Sequence, residues 1–187
     1  VFFAQSVANL NADNGIVLNA DFTANSLTLD GDANSSVDGI DQVTISDGVT
    51  VAAFGVTGPL TIHKAEALGK ATLNSANGIN MLGDFTAHDV LTINADTKVL
   101  VQFGTLHIAN GVTVDTNNND LLIQALDLDL QGIIDVGSAN ATISVSTGGV
   151  LDKIQIGDAT LCSTCAMFIS GAELENIFAN TLTIENT

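Results

Sequence analysis

The sequence predicts an all-β fold in which short strands stack as the coils of a solenoid. Two observations carry this expectation. Segments of alternating apolar and polar residues, bounded by Gly, Asn, Ser or Asp, recur about once every ten residues, as half-buried strands do. Helical periodicity between them is nearly absent, and the connections are uneven rather than the regular two-residue turns of a hairpin sheet. Short strands on a steady beat suggest coils laid one on another.

Phe2 to Leu10 is a mixed apolar opening with no clear period, followed by the turn cluster Asn11-Ala12-Asp13-Asn14-Gly15. Gly15 to Ala24 (GIVLNADFTA) leads into Ser26-Leu27-Thr28-Leu29-Asp30. The same phrase returns as Gly78 to Ala87 (GINMLGDFTA), leading into Leu91-Thr92-Ile93-Asn94. Asp21 and Asp84 stand 63 residues apart, which predicts an internal repeat of about three coils. Between the copies lie Gln42 to Ser46 (QVTIS), Gly48 to Val51 (GVTV), Leu60 to His63 (LTIH) and Ala71 to Asn74 (ATLN). After them come Val99 to Phe103, Thr105 to Ile108 and Gly111 to Asp115. An apolar-Thr-apolar triplet points two apolar side chains inward and one Thr outward. At a lateral spacing of about 4.8 Å, about eight coils make a rod on the order of 40 Å long, with unpaired strand edges only at its two ends.

The last third alternates most clearly, in Leu126 to Leu130 (LDLDL), Ala141 to Val145 (ATISV) and Lys153 to Ile156 (KIQI). Ile169 to Ile184 then reads ISGAELENIFANTLTI. This order resembles the recurring unit of filamentous-haemagglutinin-type exoproteins and similar giant algal repeat proteins. There, a segment of the form (I/L)S-x-x-EL-x-x-I-x-A-x-x-LTI closes one unit before the next begins. The resemblance implies a right-handed parallel β-helix used in adhesion or surface filaments, with no catalytic residues. Cys162-Ser163-Thr164-Cys165, inserted just before the closing segment, departs from the bacterial pattern.

Composition agrees with a solenoid. Residues 1–187 are expected to form a single β-solenoid unit, one of several in a longer protein or filament. Apolar residues make up 46% of the chain, with neither Trp nor Tyr. Aliphatic and Thr side chains suit pleated, stacked surfaces. The net charge of −17 comes from 21 acids against four Lys and no Arg. That balance argues against nucleic acid and anionic membranes, which need clustered cations, and no stretch reaches the roughly 20 apolar residues of a membrane span. Val1-Phe2-Phe3-Ala4 and Thr181-Leu182-Thr183-Ile184 read as uncapped strands. The expected partners are therefore copies of itself or neighbouring repeats, end to end, with surface glycans as further ligands.

Several residues are candidate sites. Asp30, Asp32, Asn34, Asp38 and Asp41 place oxygens at loop positions 1, 3, 5, 9 and 12, the EF-hand spacing for Ca2+. Ser35 stands where that loop needs Gly, and a plain polar loop between coils is the alternative. Asn34 and Asn140 head N-glycosylation sequons. Cys162 and Cys165 suit a local disulfide pinning an irregular loop, since one CxxC supplies too few zinc ligands. His63, His88 and His107 each sit beside a strand, and two stacked on adjacent coils would make a metal pair. Glu173 and Glu175 point to opposite faces if extended, and Asp127 and Asp129 read as an exposed ladder.

Three functions compete. A structural or adhesive unit of an extracellular fibre or surface filament is expected, not an enzyme. A carbohydrate-active β-helix would need Arg or Lys beside acids and aromatic platforms. An ice-binding solenoid would need one outward Thr per coil in register, and the spacings of 16, 17 and 31 residues among Thr28, Thr44, Thr61 and Thr92 are irregular. Ice binding and carbohydrate binding remain the alternatives.

Overall fold

The computed structural model describes residues 1–36, 41–55, 58–97, 104–145, 153–157 and 165–186. It is nearly all β, with one short helix, and every strand pairing among the described residues is parallel. Parallel neighbours cannot be joined by tight hairpins, so the chain must travel round between them.

It does so by visiting three lines of strands in rotation. The first is a seven-stranded sheet: β2 (Ile16–Leu18), β4 (Val43–Ile45), β7 (Ala65–Ala67), β10 (Phe85–Ala87), β13 (Thr113–Asp115), β16 (Ile133–Asp135) and β20 (Ile177–Phe178), paired in that order. The other two lines are arms of one twelve-stranded sheet, curled into a half-barrel and joined at the long strand β3 (Phe22–Asp30). Phe22 to Ala24 of β3 pair with β5 (Val49–Ala53), and that arm continues through β8 (Ala71–Ser75), β11 (Leu91–Asn94), β14 (Leu121–Ala125), β17 (Asn140–Val145) and β21 (Thr181–Asn186). Leu27 to Leu29 pair with β6 (Leu60–Ile62), and the second arm continues through β9 (Ile79–Met81), β12 (Thr105–Ile108) and β15 (Asp127–Leu130).

The alternation seen in sequence is the cause of the core. β4, β6, β7, β9 and β10 each show a buried, half-buried, buried triplet. Inward residues stack in register: Val51, Leu73, Ile93, Ile123 and Ile143 on the first arm, and Leu27, Leu60, Ile79, Leu106 and Leu128 on the second. All are at most 2% exposed, and a fully buried aliphatic contributes about 1.5–3 kcal/mol. On the seven-stranded sheet Phe85 is wholly buried, and its register partners Ala65 and Val114 are small enough to leave it room.

Turns are tight where coils approach. Gly78 has φ 88°, and a Cβ built on it would lie 2.8 Å from the Thr105 carbonyl oxygen. Both the left-handed backbone and the contact demand glycine.

Three expectations are corrected. The phrase shared by Gly15–Ala24 and Gly78–Ala87 does not mark a structural repeat of whole coils. Ile16 to Leu18 lie in the seven-stranded sheet, but Ile79 to Met81 lie in the twelve-stranded one; Phe22 and Phe85 are placed the other way round. All sheets here need the same alternation, so one phrase serves in either. The opening stretch without a period is strand β1 (Phe2–Asn11), paired with β3. Ala4, Ala8 and Leu10 pack against the core, but Phe2, Phe3 and Val7 are 67%, 64% and 64% exposed on this outermost strand, which blurs the alternation. Finally, Glu173 and Glu175 lie on helix α1 (Gly171–Glu175) rather than on an extended segment. Ser170 caps it: its Oγ accepts from the Glu173 N–H at 3.2 Å, and Glu173 Oε2 accepts from the Ser170 N–H at 2.8 Å, a reciprocal pair that satisfies two orphan donors.

Candidate functional site

The outward residues form columns of differing character. On the first arm of the twelve-stranded sheet Thr50, Thr72, Thr92, Leu122, Thr142 and Thr183 are successive register partners. A second column runs beside it: Asn74, Asn94, Gln124, Ser144 and Glu185. Side chains two apart on a strand are about 6.6 Å apart, and neighbouring strands about 4.8 Å. The face is thus a grid of hydroxyls and amides whose one ionisable member is Glu185, on a chain of net charge −17. A shallow depression of ≈ 290 Å³ opens among Asn74, Thr92, Asn94, Leu122, Gln124 and Thr142. Leu122, 44% exposed, interrupts the Thr column.

The acids lie elsewhere. Val17, Thr44, Glu66, Thr86, Asp115, Asp135 and Phe178 form the outward column of the seven-stranded sheet. On the second arm the column is Thr28, Thr61, Asn80, His107 and Asp129. The four Thr compared in the sequence therefore belong to three lines of strands: Thr28 and Thr61 to one, Thr44 to another, Thr92 to the third. Their irregular spacing is no measure of register, and that ground against a Thr array is corrected.

Each His meets a carboxylate. His88 Nε2 lies 2.7 Å from Glu66 Oε1, Gln42 Nε2 donates to Glu66 Oε2 at 2.7 Å, and Asn117 Nδ2 lies 3.2 Å from His88 Nδ1. His107 Nδ1 lies 2.8 Å from Asp129 Oδ2, and His63 Nδ1 lies 3.8 Å from Asp30 Oδ2. The three His are neither stacked as a metal pair nor isolated, because adjacent strands bring each ring to an acid. Among the described residues no three His, Cys, Asp or Glu gather as a metal cluster.

Asp127 is not part of an exposed ladder. Its Oδ1 accepts from the Phe168 N–H at 3.1 Å, where strand β19 (Met167–Ile169) closes over β15 and pairs with β18 (Ile154–Ile156). Burial pushes its carboxyl above the ordinary value of 3.8; the hydrogen bonds from Phe168 and Leu128 oppose this, and the Glu173 and Asp129 charges add to it. Glu173 also accepts from the Leu130 N–H at 3.1 Å, fastening the helix to β15.

Of the expected calcium ligands, Asp30 ends β3, where its Oδ1 accepts from the Asp32 N–H at 3.1 Å. Asn34 is exposed and its Oδ1 accepts from the Ser36 N–H at 2.8 Å. Asp41 is 8% exposed. Asp38 lies outside the described residues. Both sequon residues, Asn34 and Asn140, are exposed. Cys165 is not a free thiol; Cys162 lies outside the described residues.

The sheet edges complete the inventory. β1 and β2 at one end, and β20 and β21 at the other, each pair on one side only among the described residues. The β1 edge carries exposed Phe2, Phe3 and Val7, and β20 carries Phe178 at 52% exposure. Phe2 stacks on Phe22 with ring centroids 6.5 Å apart. Uncapped strands at both ends were expected from the sequence; the pairing adds which strands form each edge and that Phe178 lies on one of them.

Comparison with known proteins returns no match to a family model, a curated protein or a solved structure. The geometry alone carries the functional reading.

Proposed function

We propose that the chain is a right-handed parallel β-helix of about eight coils that serves as a structural or adhesive unit of an extracellular fibre or surface filament. Rotation among three lines of strands, with seven strands in the line that starts at β2, supports the solenoid reading. The observation that carries the function is the β1 edge. Its free backbone groups are flanked by exposed Phe3 and Val7, and the strand carries neither of the Lys and Pro that blunt natural edges, although its register to β3 shifts between Ala4 and Val7. Such an edge accepts another strand, supplied by a neighbouring repeat or a second copy. On this reading the Cys162–Cys165 disulfide and glycans at Asn34 and Asn140 are outer-surface features of an extracellular unit, and no catalysis is required.

Sedimentation and electron microscopy of the purified chain test the proposal. Concentration-dependent end-to-end assembly is expected, weakened by Phe3→Lys or Val7→Lys. A chain that stays monomeric at high concentration, or assembles equally well with either substitution, refutes it.

A second reading, surface binding to ice or neutral carbohydrate, is favoured by the in-register Thr and amide columns. Thermal hysteresis and adsorption to insoluble polysaccharides test that reading.

A further inference from the structure

We propose that the neck of the loop between Gly31 and Gln42 binds a divalent cation, Ca2+, through the carboxylates of Asp32 and Asp41. The chain leaves the sheet at Gly31 and returns at Gln42 with the two backbones in contact: a Cβ on Gly31 would lie 2.3 Å from the Gln42 carbonyl carbon. Asp32 follows Gly31 and Asp41 precedes Gln42, so the two residues stand on either side of that contact along the chain. The base is held by Gly15 N–H donating to the Gly31 carbonyl and Ala33 N–H donating to the Ala12 carbonyl, both at 2.9 Å.

The decisive feature is what these carboxylates lack. Asp41 is 8% exposed, and its Oδ1 is buried without a hydrogen-bond partner. Asp32 Oδ1 is buried and unpartnered as well. Asp30, by contrast, is occupied by the Asp32 N–H and faces His63. The ion pairs among the described residues all involve His, and none reaches Asp32 or Asp41. A carboxylate oxygen removed from water without a partner is costly. A hard divalent cation removes that penalty, with backbone carbonyls and water completing the six to eight oxygens that Ca2+ takes. Two carboxylates place the site in the weak range of extracellular modules, about 10⁻⁴–10⁻³ M. The cation site stands independently of the fibre reading.

Calorimetric titration of EDTA-stripped protein with CaCl2, at ionic strength held constant with NaCl, tests it alongside thermal melts. One saturable site per chain and a rising Tm are expected. Asp32→Asn and Asp41→Asn should each weaken the site by about tenfold or more, with circular dichroism verifying the fold, while Glu175→Gln on the exposed helix leaves it unchanged. Absence of a saturable site in the wild-type chain overturns the proposal, as does binding indifferent to both substitutions.

Discussion

Thr72 and Thr92 stand twenty residues apart in the chain and are direct register partners on the first arm of the twelve-stranded sheet. Thr50 extends the row on one side and, past Leu122, Thr142 on the other. A lysine at Thr92 would put a charge in the middle of a face that has almost none. We predict that Thr92→Lys abolishes adsorption to ice or neutral polysaccharide where the wild type shows it, with stability changed by no more than ~0.5 kcal/mol. Leu122→Thr, which completes the row, should strengthen the same adsorption. Equal adsorption by Thr92→Lys and wild type would exclude this face.

Among the described residues Phe85 has the largest fully buried side chain, between Ala65 and Val114 on the neighbouring strands. Neither neighbour has the reach to fill the space it vacates. Phe85→Ala should cost about 3–5 kcal/mol, read as a lower urea midpoint. A loss under about 1 kcal/mol would show that the three lines of strands do not close on a packed core.

Gly48 and Gly78 share a left-handed backbone, with φ 73° and 88°, but differ in surroundings. A Cβ on Gly48 meets nothing within 4 Å, whereas one on Gly78 meets the Thr105 carbonyl oxygen at 2.8 Å. Gly48→Ala should cost about 1–2 kcal/mol from backbone strain alone. Gly78→Ala should cost at least about 1 kcal/mol more, because the obstructing atom is backbone. Chemical denaturation of the two variants gives the comparison, and equal losses would refute the close approach of β12 to that turn.

Asp127 holds its proton more tightly in the folded chain than in the unfolded one, chiefly because it is buried. Its contribution therefore favours the fold as pH falls through the raised value towards 3.8, and ionised Asp127 opposes the fold at neutral pH. Asp127→Asn keeps an oxygen to accept from Phe168 and should raise Tm at pH 7. That advantage should fade as the pH falls below the raised value and vanish below 3.8. A Tm difference constant with pH would contradict this account.

Much of the strand content was legible in the residues. Val43-Thr44-Ile45, Leu60-Thr61-Ile62 and Ala141 to Val145 became strands with the expected side inward. The start of β1 was legible as an uncapped strand but its extent to Asn11 was not, because exposed Phe2, Phe3 and Val7 blur the contrast with Ala4, Ala8 and Leu10, which pack against the core. The helix cap did have a local signal, the Ser170-x-x-Glu173 spacing of a capping box, but the apolar residues of ISGAELENIF suit an extended segment as well as one helical turn.

By itself the sequence determined which side chains face the core, because alternation with a period of two is a property of the extended backbone. Only the tertiary structure decided which strand lies beside which. That depends on the length and path of each connection, and it is what brought Thr72 beside Thr92, sent Phe22 and Phe85 to different sheets, and left Asp32 and Asp41 flanking one closed neck.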